Sequence, residues 1–157
     1  MKFLVVNLVL SMAFPIEEKY ILEVQSEMNV VFPLAFKKRM LKLNGGESII
    51  MKQEFELYPF FDKSDNKRIR RTCNHIALET KNARECTGFS KNTIAIGADG
   101  SGNQIILLHD GDGILKDEIY FWNHELGDIK MLAKTHILST ENTDNSIWQR
   151  IKAILKI

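Results

Sequence analysis

The stretch TIAIGADGSGNQIILLHDGDGILKDEIYFWNHE, residues 93–125, decides the fold. It holds three β-type runs, Thr93–Gly97, Gln104–Leu108 and Glu118–Trp122, rich in β-branched and aromatic residues. The segments between them are turn chemistry: Ala98 to Asn103 carries glycines beside Asp99, and Asp110-Gly111-Asp112-Gly113 alternates acid with glycine. Neighbouring runs joined this way pair most simply as hairpins. A further run from Ile129 to Ala133 extends the series, so an antiparallel meander is expected.

Upstream the period changes from two to that of a helix. After Pro15, Glu17 and Glu18 place negative charge where a helix N-terminus favours it, and Tyr20, Ile21, Val24 and Met28 recur at helical spacing. Pro33 opens a second helix with Phe36, Met40, Leu41 and Leu43 inward and Lys37, Lys38, Arg39 and Lys42 wet. Asn44-Gly45-Gly46 stops it. From Ser48 to Tyr58 the alternation of Ile49 and Met51, then Phe55 and Leu57, predicts one or two strands with a bend at Lys52-Gln53. Ser64 or Asp65 then caps a long helix whose buried face is Ile69, Cys73, Ile76, Thr80 and Ala83. At the far end, Asn142 or Thr143 begins a last helix with Ile147, Trp148, Ile151, Ile154 and Leu155 on its apolar side. The first residues, Lys2 followed by Phe3 to Val6 and then Ser11-Met12-Ala13, imitate a secretory leader. Asn7 breaks that apolar run and a single lysine makes a weak basic end, so an opening strand is the simpler account.

The 157 residues suit one domain, and 45% hydrophobic against 26% charged residues places the chain among folded proteins. Cys73 and Cys86 lie too far apart along a helix for a bridge, about 20 Å. Two unpaired thiols, read as buried small hydrophobes, fit a reducing, cytoplasmic compartment. No apolar run is long enough to span a bilayer, so no membrane partner is expected. Net charge is +1, yet it is unevenly spread. Between Ile96 and Asp128, seven acids face one base, Lys116. Carboxylates gathered on loops repel one another, and one use for that cost is to steer a basic partner. Asp99, Asp110, Asp112, Asp117 and Glu125 are therefore the candidate partner-binding residues.

Other chemical signals weaken on inspection. Asp99, Ser101, Asn103 and Asp110 match the first, third, fifth and twelfth places of a calcium loop. Gln104 stands where the sharp turn needs glycine, and Ile105 to Leu108 read as strand, so a hairpin loop without metal is expected. His75, His109, His124 and His136 show neither the helical pair nor the Cys/His clusters of zinc sites. Cys73 with His75 and His124 would make a thiol–imidazole set, but nothing local orients it. Phosphate loop, dinucleotide fingerprint and nucleophile elbow are missing. No catalytic residue and no cofactor are expected. Lys67-Arg68-Ile69-Arg70-Arg71 reads as the solvated face of a helix; without interleaved aromatics for base stacking, no nucleic-acid partner is expected.

Taken in order, several segments resemble the SUKH superfamily, named in part for yeast cell-wall-synthesis regulators and widespread among bacterial immunity proteins. Val31-Phe32-Pro33 with Phe36 is similar to that family's Leu-Pro-x-x-Tyr start, and Leu43-Asn44-Gly45-Gly46 follows it. Ile94 to Asn103 resembles the Gly-x-Asp-x-x-Gly hairpin, and Glu118 to Glu125 the Val-Tyr-x-Trp-x-His strand. The resemblance covers roughly residues 15–139 of a single SUKH-like domain. Phe32 and Phe36 replace the usual leucine and tyrosine, and the basic segment from Asn66 to Glu85 lengthens the middle.

The resemblance implies an α+β domain, a mainly antiparallel twisted sheet flanked by helices. It makes Pro33, Asn44, Gly45, Gly46, Gly97, Asp99, Gly102, Tyr120, Trp122 and His124 fold-signature residues, with Tyr120 and Trp122 filling the packed face of the sheet. It also implies action by stoichiometric binding, as a monomer or weak dimer: an immunity protein whose acidic loops occlude a cognate protein toxin, with a nuclease as one candidate. A regulatory protein-interaction module of the same superfamily is the alternative, and an enzyme without a signature, such as a hydrolase, comes third.

Overall fold

In a computed structural model the described residues are 13–139 and 154–155. Four helices and six strands follow one another: α1 (Glu18–Met28), α2 (Leu34–Lys42), β1 (Gly46–Ile50), β2 (Gln53–Leu57), α3 (Asn66–Arg71), α4 (Ile76–Ala83), β3 (Thr93–Ala98), β4 (Gln104–Leu108), β5 (Glu118–Trp122) and β6 (Ile129–Lys134), then a 3₁₀ turn at Thr135–Leu138. The sheet runs β1-β2-β3-β4-β5-β6 with every neighbour antiparallel, the meander of an α+β fold. Two bulges bend it: Ile96 is the extra residue of β3 against β4, and Leu132 that of β6 against β5. The expected opening strand and most of the last helix lie outside the described residues; Ile154 and Leu155 are helical and exposed.

β2 meets β3 only at Glu56↔Ala98 and Leu57↔Gly97, and then the strands part. Tyr58 N–H still donates to the Ile96 carbonyl at 2.9 Å. Beyond it the Thr80 hydroxyl of α4 accepts from Ala95 N–H at 3.0 Å and lies 3.5 Å from the Ala95 carbonyl, so a helix side chain substitutes for the missing strand. That is why Thr80 is fully buried. On the other side Phe32, Phe36 and Phe60 form an aromatic knot with ring centroids 5.1–6.1 Å apart. Such pairs add about 1 kcal/mol each beyond their area.

Four local expectations are corrected. The long helix after Asp65 is two short ones. Thr72 Oγ donates back to the Arg68 carbonyl at 2.8 Å and accepts from Asp62 N–H at 2.9 Å, which draws the backbone out of its helical path. His75 Nδ1 then caps α4 by accepting from Leu78 N–H at 3.3 Å. Ile76, Thr80 and Ala83 are buried as expected, but Ile69 is half-buried and both cysteines are exposed. Arg39 is buried rather than wet, because its guanidinium caps the carbonyls that end α2, donating to Leu43 and, at 3.0 Å, to Gly45. Tyr120 is half-exposed: Phe89 packs edge-on against Trp122 at 5.2 Å and leaves Tyr120 outside its cover.

The β1–β2 hairpin turns at Met51-Lys52, one residue before the expected bend, so Ser48 and Ile50 face inward in place of Ile49 and Met51. Both turn residues have positive φ, 52° and 64°, although neither is glycine or asparagine. Each pays about 1 kcal/mol for that conformation. Replacing Met51-Lys52 by Asn-Gly should raise the thermal midpoint by about 3 °C or more. A midpoint that falls would show that these side chains contribute more than the backbone strain costs.

Candidate functional site

The residues singled out by sequence gather into two structural clamps and two acidic loop ends. The first clamp follows α2. Asn44 donates from Nδ2 to the Phe60 carbonyl at 2.8 Å and accepts from Phe60 N–H at 2.7 Å, while its own N–H reaches the Phe14 carbonyl at 2.8 Å. Gly45 follows at φ +96°, and a Cβ there would stand 3.0 Å from the Leu57 carbonyl. Pro33 precedes the first turn of α2 and Gly46 begins β1.

The second clamp joins the β3–β4 and β5–β6 turns at one end of the sheet. Asp99 accepts from Ser101 N–H at 2.8 Å through one oxygen and from Asn103 Nδ2 at 2.9 Å through the other. With its amide nitrogen so committed, Asn103 offers Oδ1 to His124, accepting from the backbone N–H at 3.1 Å and from Nδ1 at 2.8 Å. The contact therefore selects the His124 tautomer protonated at Nδ1. Gly102 lies against that ring: at φ +93°, a Cβ would meet Cε1 at 3.1 Å. Gly97 lets β2 approach, since a Cβ would stand 2.6 Å from the Glu56 carbonyl.

The candidate acids are divided. Asp99 and Glu125 lie in the turns at this end, whereas Asp110, Asp112 and Asp117 lie in the β4–β5 connection at the other, with the five residues of β4, about 16 Å, between. Asp110 pairs with Lys116 at 2.9 Å, Asp112 accepts from Ile114 N–H at 3.0 Å, and Asp117 accepts from the Thr135 hydroxyl. Asp99 and Asp110 thus do not converge as a calcium loop would require. Among the described residues no group of three or more His, Cys, Asp or Glu is placed to hold a metal. His75 and His124 each spend Nδ1 elsewhere, and the His75 ring stacks on Phe61 at 4.7 Å.

Sequence reading missed one arrangement entirely. Lys67, Arg68 and Arg71 surround the ring of Phe14 at 5.6, 4.9 and 4.8 Å from its centroid, beside a cleft of about 300 Å³ whose lining includes Asp62, Glu47 and Glu56. Nothing local announces it, because Phe14 is more than fifty residues away in the chain. Arg68 also bonds the buried Asp62 carboxylate at 3.0 Å.

Burial pushes the Asp62 pKa up, but hydrogen bonds from Ser64 and Arg68 outweigh it and hold the carboxyl below its ordinary 3.8. Burial likewise lifts Tyr58, whose hydroxyl donates to Gln104 at 2.8 Å, to about 12. A carboxyl depressed in the folded state stabilises fully above the unfolded value and loses that contribution as pH falls through the folded one. Urea unfolding below about pH 4 should therefore show falling stability, with a shallower fall in Asp62→Asn. An identical slope in the variant would assign acid sensitivity to other groups. Gly102→Ala should cost about 1–2 kcal/mol in the same measurement at neutral pH, from its φ and the His124 contact; a neutral result would mean the two turns are not clamped together.

No helix among the described residues is long and apolar enough to cross a membrane. A search among curated proteins finds no match to the chain. The family model of the SMI1/KNR4 family (SUKH-1) matches residues 15–136, a span that holds both clamps and the whole sheet. The order of helices, the asparagine–glycine stop and the hairpin glycines are thus those of a known lineage, and the chain belongs to the SMI1/KNR4 family (SUKH-1).

Proposed function

We propose that this protein is a single-domain cytoplasmic immunity protein that neutralises a cognate toxin domain by stoichiometric binding, without catalysis of its own. Family membership supports action through a protein partner. The observation that carries the reading is how the polar side chains are spent. Asp99, Asn103, His124 and Asn44 bond one another or nearby backbone, which suits a frame for a fixed surface more than chemistry on a substrate.

The acids of the loops turn outward on that frame. Asp110, Asp112, Asp117 and Glu125 belong to exposed residues, and Lys116 is the one base within 96–128. Such loops favour a partner with a basic cleft, the kind a nuclease uses to hold phosphates, and would occlude it as a substrate does. A regulatory interaction module would share the frame but bind a cellular protein instead.

Co-expression with a toxin domain encoded beside this chain tests the proposal. Restored growth and a one-to-one complex that weakens from low to high salt are expected. Binding indifferent to salt would remove the acidic mechanism and keep immunity. Neither rescue nor complex would end the immunity reading in favour of the regulatory one.

A further inference from the structure

The β4–β5 connection carries an apolar tip that touches another exposed aliphatic residue. Ile114 is 60% exposed, Val31, its partner in an isolated parallel bridge, 48%, and Leu34, which opens α2 three residues later, 64%. Single exposed aliphatics are ordinary on folded proteins. Three that share one bridge and one helix start form a patch, and patches of this kind mark contact surfaces.

The patch is held stiffly. Val31 N–H donates to the Gly113 carbonyl at 2.8 Å and Leu115 N–H to the Val31 carbonyl at 3.0 Å. His109 Nδ1 accepts from Gly111 N–H at 3.0 Å and Gly113 N–H at 3.2 Å, and Asp112 fixes Ile114 from the other side. Gly113, at φ +77°, lies so close to the end of α1 that a Cβ would stand 2.5 Å from the Asn29 carbonyl. A loop ordered in advance loses little freedom on binding, so its contacts are converted into affinity with small loss.

Around this centre the charge has one sign. Asp110 and Asp112 flank the tip on exposed residues, and Lys116 answers only Asp110. An apolar centre with a charged rim is the layout of a protein interface, the centre supplying affinity and the rim steering approach. We propose that the Val31, Leu34 and Ile114 patch, rimmed by Asp110 and Asp112, is where this protein seats its toxin, a basic domain offering an apolar notch framed by lysine or arginine. The inference rests on the immunity reading and chooses between its two acidic ends: the turns holding Asp99 and Glu125 face away from the partner.

Calorimetric titration of the full chain with a catalytically dead toxin domain encoded beside it tests this surface. Ile114→Asp and Leu34→Glu should each weaken binding at least about thirtyfold. Leu126→Asp, a matching change at a 75% exposed residue of the opposite end, should bind as the parent does. A glutamate in the first turn of α2 suits the helix dipole, so Leu34→Glu keeps its fold even where Ile114→Asp does not, and an unchanged thermal midpoint verifies it. Asp110→Asn with Asp112→Asn should slow association and flatten its salt dependence. Binding that survives both patch variants, or that disappears with Leu126→Asp, overturns the surface while the immunity reading stands. A parent chain that does not bind overturns both.

Discussion

The amide of Asn44 is the constraint on which the rest depends. It closes both backbone groups of Phe60 in one bracket, across sixteen residues of chain, at a site with no water to replace either bond. The bracket forces the chain to reverse sharply after α2, and only a residue without a Cβ fits at Gly45, pressed against the Leu57 carbonyl. Phe60 is thereby set between Phe32 and Phe36, and the β1–β2 hairpin is aimed at Gly97. The helical layer and the meander are joined by this junction more than by any single run of apolar residues.

Arg39 shows how strict the junction is. It is buried without a carboxylate partner, and burial brings its pKa down to about 10. Its Nε has no hydrogen-bond partner, yet its terminal nitrogens satisfy carbonyls of Leu43 and Gly45 that would otherwise be orphaned at the end of α2. Burying a charge is costly, and leaving several helix-end carbonyls unpaired in the interior costs on the same scale.

Much of this was legible in the residues. The strands from Thr93 to Trp122 were found because β-branched runs alternate with turn chemistry that has a short-range cause. The clamp from Asp99 to His124 was legible only as a motif, since a contact between two turns has no sequence period. Arg39, Thr72 and the Met51-Lys52 turn were misread for a common reason: in each, a backbone group needing a partner, or a fixed register, overrode the preference of the side chain. The division of the acids between two ends could be seen once the strand pairing was known, because an odd number of strands separates one loop from the next.

The two clamps carry a consequence for how such a protein changes over generations. They consume the side chains that hold the turns together, while Ile114, Leu34 and Asp112 stand outside the packed interior. Substitution at such positions carries little folding penalty. A lineage pressed by a shifting adversary can therefore redraw its outer loops repeatedly, exchanging one specificity for another, while the glycines and amides beneath keep the scaffold intact.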